Sequence, residues 1–268
     1  MKLSVFYHHI KEAAKQSGRA ISEVIELVRS FGIEYLEFDI EDLKSDETAD
    51  LLKASGSKIS SVYGFYDFGK SSEPEDAFYH CERAAKLGSD KIMIIPGFYS
   101  SVDKETRLRE REKMICAMKI VCEYAHKLGL VPTIEDFDDF SSPIATSEGM
   151  LDFISNVPHL KATFDTGNFI ISAESEIYAL EKIKPYIVHV HCKDRSMNPD
   201  ERCGMKCSTD GTELYDCPAC FGCIAVAQTV KELSGSGYDG IYTIEHFGAY
   251  DQLEFIRQSA ENLRSITV

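Results

Sequence analysis

Four short apolar runs, at residues 130–135, 162–165, 187–191 and 241–245, each close on a side chain able to bind a metal ion. The order is Glu135, Asp165, His191, Glu245. Three carboxylates and one imidazole form a hard, oxygen-rich set that suits Mn²⁺ or Mg²⁺, with Zn²⁺ and Co²⁺ also within its range. One divalent ion held there with open positions could bind two oxygens of a polyol or hydroxy-ketone. It would polarise a carbonyl and acidify the neighbouring C–H, and a nearby carboxylate could take the proton. A lone acidic residue at a strand end is ordinarily a helix cap or a salt-bridge partner. Four ligands on consecutive runs are not accounted for in that way.

Converging these four side chains requires strands whose ends share one face. Eight strand-like runs are spread along the chain, at 3–7, 35–39, 59–63, 91–95, 130–135, 162–165, 187–191 and 241–245. Segments of helical periodicity separate them: Ile21, Val24, Ile25 and Val28 before Gly32, a capping-box-like Ser72-Glu73-Pro74-Glu75, a long stretch over 104–128, and 252–264. Eight βα units in 268 residues predict a (β/α)₈ TIM barrel in a single domain spanning 1–268. The ligands then sit at the C-terminal ends of strands five to eight, where adjacent strands are about 4.8 Å apart. A doubly wound open sheet is the competitor, but Tyr7-His8-His9-Ile10 follows the first strand in place of a glycine-rich fingerprint.

Composition narrows the function classes. A formal charge of −15 argues against nucleic acid as a partner. No apolar stretch reaches the roughly 20 residues that span a bilayer, and the N-terminus does not read as a secretory signal, so a cytoplasmic protein without a membrane partner is expected.

The motifs Ile134-Glu135-Asp136, Phe164-Asp165-Thr166-Gly167-Asn168, His189-Val190-His191-Cys192-Lys193-Asp194 and Thr243-Ile244-Glu245 together resemble the xylose-isomerase-like barrel superfamily, in particular its sugar phosphate isomerase/epimerase branch. The likeness runs the length of the chain, since Gly32-Ile33-Glu34-Tyr35-Leu36-Glu37 and Gly237-Tyr238-Asp239-Gly240 share it. It implies a metal held by Glu135, Asp165, His191 and Glu245. Glu135 and Glu245 would also act as acid and base on opposite faces of the substrate, and family members often dimerise, though the chain shows no interface signal. One departure stands out: Asn168 occupies a place where ketose epimerases often have histidine. The histidines that a trinuclear zinc endonuclease of the same barrel type would need are also missing at strands three and four.

Other positions are candidates for substrate contact. His8 and His9 end the first strand, and alternation allows only one of them, with His8 preferred, to face inward. Glu37 ends the second strand, and Tyr63, Phe65, Asn168 and Lys193 are placed near the mouth. Lys193 could meet a substrate oxygen or simply pair with a rim carboxylate. His189 shares a face with His191 and is expected deeper, as a core histidine or ligand support, and His246 is expected to point away.

Five of the nine cysteines lie between Cys203 and Cys223, within an excursion at about 195–224 between strands seven and eight. Cys203, Cys207, Cys217 and Cys220 could hold a structural zinc, while simple thiols are the default. The leading expectation is a divalent-metal-dependent isomerase or epimerase of a small sugar or sugar derivative. The alternatives are a keto-polyol dehydratase of inosose type and a non-catalytic metal- or sugar-binding barrel.

Overall fold

The computed structural model describes residues 1–267. In chain order the strands are β1 (Lys2–Phe6), β2 (Tyr35–Asp39), β3 (Lys58–Phe65), β4 (Lys91–Ile95), β5 (Val131–Glu135), β6 (Lys161–Asp165), β7 (Ile187–Cys192), three short strands β8 (Asp194–Ser196), β9 (Met205–Cys207) and β10 (Glu213–Cys217), and β11 (Ile241–Ile244). Eight of them, β1 to β7 and β11, close into an all-parallel barrel in which β11 pairs with both β7 and β1. Helices pack outside, each burying one apolar face. In Ile21–Ser30, for example, Val24, Ile25 and Val28 turn inward, and Gly32 follows with φ +74°. Such a left-handed turn is cheap only without a Cβ. The fold is therefore the expected TIM barrel.

Local departures have simple causes. The helix expected from residue 72 opens with a 3₁₀ turn, Pro74–Ala77, where the Asp76 carboxylate takes the Glu73 N–H, and the α-helix proper is Phe78–Lys86. The chain also enters a helix at Tyr7 directly from β1, so His8 and His9 lie in a first helical turn and not at a strand end. Among the described residues no helix is long and apolar enough to cross a membrane.

The excursion after β7 is a small antiparallel sheet, ordered β8-β10-β9, that roofs the C-terminal face of the barrel. Arg195 on β8 reaches Asp138 in the loop after β5 at 2.8 Å and Asp216 on β10 at 2.6 Å, and Lys206 on β9 reaches Asp138 at 2.6 Å. The roof is also tied to the loop after β11 through the Gly204 N–H and the Gly248 carbonyl, 2.8 Å apart.

Candidate metal centre and active site

Glu135 and Asp165 are the last residues of β5 and β6, His191 is the penultimate residue of β7, and Glu245 follows β11 by one residue. Their ligand atoms all lie within 4.8 Å of one another, and all four side chains are buried. His191 Nδ1 touches Glu135 Oε1 and lies 3.0 Å from Glu245 Oε2. The loops below are cross-braced. The Asp136 carboxylate accepts the Asp165 N–H, and the Thr166 hydroxyl donates to the Lys193 carbonyl and accepts the Lys193 N–H. Gly167 lets these loops meet, because a Cβ there would come within 2.9 Å of the Lys193 carbonyl oxygen.

This donor set fits a divalent cation. Asp165 Oδ1 accepts the Gly167 N–H, but Asp165 Oδ2 is buried with no hydrogen-bond partner, as an oxygen reserved for an ion would be. The electrostatics agree. Burial pushes the Glu135 and Asp165 carboxyls up, and the neighbouring carboxylates add to it. Burial opposes charge on His191, yet Glu37 and Glu135 hold its pKa above the ordinary value. The cluster demands positive charge, and a divalent ion is the economical way to supply it.

His191 has its other nitrogen engaged from beneath. Nε2 is 3.1 Å from Glu37 Oε1, while Glu37 Oε2 meets His189 Nε2 at 2.8 Å and accepts the Thr243 hydroxyl at 2.9 Å. A carboxylate on one imidazole nitrogen fixes the tautomer that frees the other for a metal. Glu37, His189 and His191 also form a cluster of ligand type, but it is fully enclosed. We read it as the support of the upper site. This corrects the expectation for Glu37 as a substrate contact. β2 runs on to Asp39, and the two-residue strand period puts Glu37 one layer below Asp39, the residue that lines the cavity.

Above the ligands lies a cavity of about 540 Å³. Of the expected contacts, His8, Tyr63, Phe65, Asn168 and Lys193 line it together with Glu135 and Glu245, and Glu37 does not. Lys193 Nζ contacts Glu245 Oε1, lies 3.7 Å from Asp165 Oδ2 and donates to Asn168 Oδ1 at 2.7 Å. Asn168 Nδ2 in turn donates to the Asp136 carbonyl. His9 is buried beneath, stacked on His246, and accepts the His246 N–H.

Sequence reasoning missed Asp136 and the Asp138–Arg195–Asp216 bridge. Asp136 adjoins Glu135, but only the tertiary fold reveals its role in holding the Asp165 backbone. The proposed zinc set is corrected as well. Cys207 pairs across from Glu213, while Cys217 sits four residues further along extended β10, on the order of 13 Å away. Among the described residues, no group containing these cysteines brings three ligand atoms together, and all nine cysteines are free thiols.

The sequence matches the xylose isomerase-like TIM barrel family over residues 25–266. The chain belongs to that family. A comparison with curated protein sequences finds no match. Solved structures of the same fold include the probable 3-DHS dehydratase of petrobactin synthesis from Bacillus anthracis, at 16% identity over 100% of both chains with TM-score 0.75. D-allulose 3-epimerase from Methylomonas sp. aligns at 14% identity over 100% of this chain and 98% of its own, also with TM-score 0.75. A xylose isomerase-like TIM barrel protein from Mycobacterium smegmatis, in complex with magnesium, aligns at 17% identity over 91% and 87% with TM-score 0.69. At these identities the likeness establishes the barrel.

Proposed function

We propose that this family member is a divalent-metal-dependent isomerase or epimerase of a small sugar or sugar derivative. The observation that carries the reading is the placement of Glu135 and Glu245. Both belong to the buried ligand cluster, both line the cavity, and β6 and β7 separate the strands that bear them. A divalent ion held by Glu135, Asp165, His191 and Glu245 would supply the Lewis acidity that makes a C–H beside a carbonyl removable. The chain does the rest. One of Glu135 and Glu245 takes the proton at that carbon and the other returns it. Lys193, oriented by Asn168, keeps its ammonium between Asp165 and Glu245 and directs a substrate hydroxyl. Phe6, Tyr63 and Met93 wall the cavity and keep water from the reacting carbon.

Dehydration begins with the same proton abstraction and ends with loss of a β-hydroxyl, and neighbours of this fold bear names of both kinds. One assay separates the outcomes. Metal-loaded protein is incubated in D₂O with a panel of ketoses, their derivatives and keto-cyclitols. Deuterium gained beside the carbonyl, with interconversion of epimers or of ketose and aldose, supports the proposal. A product lighter by one water supports dehydration. Exchange should collapse in Glu135→Gln and Glu245→Gln at saturating metal. Absence of exchange and of conversion across the panel would sink the enzymatic reading.

A further inference from the structure

The cavity has two unlike halves. On the side of β1, β3 and β4, Phe6, Tyr63, Met93 and Ile95 form an apolar cluster separate from the main core, and Phe98 and Phe137 pack against it. The rings run as a chain of contacts, with centroids 5.4 Å apart for Phe6–Tyr63, 6.1 Å for Tyr63–Phe65 and 5.9 Å for Phe65–Phe137. The layers below are polar in part, as Ser4–Ser60 and Thr133–Thr163 show, so an apolar interior at this level is not a general property of the barrel. Phe65 is left 53% exposed at the cavity mouth, and Phe247, 40% exposed, meets the Phe6 ring at 6.1 Å. Sugar hydroxyls laid on this wall would lose water and gain no partner, whereas a flat apolar group would stack on it.

The opposite half carries the charge, and it offers little to an anion. Three cations, Lys193, Arg195 and Lys206, face four carboxylates, Glu135, Asp138, Asp216 and Glu245, while Asp39 on β2 lines the other side beside Tyr63. Each cation already has an acidic partner: Lys193 has Glu245, Arg195 has Asp138 and Asp216, and Lys206 has Asp138. A phosphate or carboxylate would have to displace one of these acidic partners. About 540 Å³ is also within the range that holds drug-sized molecules.

Resting on the function proposed above, we propose that the substrate is an uncharged sugar derivative bearing a flat apolar substituent. An aryl glycoside oxidised to a ketone is the chemical type. Its polyol end would meet the ligand layer and Lys193, and its substituent would lie on the wall between Phe65 and Phe137.

The chain has no tryptophan, so a fluorescent aryl group can be followed without that background. Protein loaded with Mg²⁺ is titrated with the 4-methylumbelliferyl glycosides of glucose, galactose and mannose, read by anisotropy. The matching methyl glycosides, glucose and glucose 6-phosphate serve as competitors. The expected result is at least one aryl glycoside binding about tenfold or more tighter than its methyl partner, the scale of an added aromatic stacking contact with its buried area. That ratio should fall toward one in Phe65→Ala and Phe137→Ala, and glucose 6-phosphate should bind no tighter than glucose. Phe65 is exposed enough for its truncation to leave the fold intact. A wild-type ratio near one, no aryl binding at the solubility limit, a ratio unchanged in both variants, or preference for the phosphate would overturn the proposal. Loss of the aryl preference with deuterium exchange intact removes this inference alone. Aryl preference without exchange on any substrate removes the isomerase reading alone.

Discussion

Glu37→Gln tests whether the buried carboxylate below the site sets its metal affinity. Three groups converge on the two Glu37 oxygens: His191 Nε2 on Oε1, and His189 Nε2 with the Thr243 hydroxyl on Oε2. Glutamine keeps the size but offers one acceptor and one donor. If its oxygen stays with Thr243 and His189, its NH₂ faces His191 Nε2. That nitrogen must then accept, and the proton moves to Nδ1, the atom that faces Glu135 and Glu245. If the amide is turned over, the NH₂ meets Thr243 and His189, and that pair loses its acceptor. The first arrangement blocks ligation, and the second loosens its support. Loss of such a partner typically lowers metal affinity 10- to 100-fold, or about 1.4–2.7 kcal/mol. The assay is competition of Mn²⁺ and Zn²⁺ against a fluorescent chelator, with circular dichroism to establish folding. Thr243→Val is the control, since it removes one hydrogen bond to Oε2 and leaves the charge facing His191, so its loss should be much smaller. A folded Glu37→Gln protein with wild-type metal affinity would refute the argument.

Other outcomes follow from the same geometry. The Asp165→Ala/His191→Ala double variant should lose its divalent metal in elemental mass spectrometry, and Cys203→Ser/Cys207→Ser should keep the wild-type metal content. Arg195→Met strands Asp216 without its buried partner and leaves Asp138 with Lys206 alone, a loss approaching the scale of about 3–5 kcal/mol for a fully enclosed pair. It should appear as faster proteolysis and amide exchange in β8 to β10 with the barrel strands still protected. His80, buried with Nε2–H on the Val62 carbonyl and Nδ1 accepting from Tyr66, has its pKa pushed down by burial to about 4 from 6.5. The unfolded chain binds the proton first, so stability is full above pH 6.5 and declines as pH falls toward 4. This one group removes roughly 3 kcal/mol over that window. Urea midpoints from pH 4 to 7 should show a shallower decline in His80→Gln than in the wild type.

The barrel was legible because each strand is a short apolar run bounded by turn residues. Tyr35–Asp39 and Lys91–Ile95 match the expected runs at both ends. The ligand set was legible for a related reason: parallel strands bring their C-terminal ends together whatever lies between them. Depth was harder to read. Glu37 and Asp39 share a face, and sequence cannot say which one opens on the cavity, since that depends on the stagger of β2 against its neighbours. The excursion was read by its cysteines, yet it is organised by Arg195. A buried guanidinium bridging residues 57 and 21 positions away leaves no periodic trace. His8 was placed through a strand and reaches the cavity from a helix.

The roof has a consequence for how such a protein diversifies. Its bridge is made by Asp138, Arg195 and Asp216, none of which belongs to the ligand cluster. The aromatic wall likewise comes mostly from β1, β3 and β4, strands that donate no ligand. Mutations that reshape what enters can therefore accumulate in two regions while the ionic layer stays under separate constraint. Lineages built on this plan can change what the cavity admits while the ligand cluster is kept.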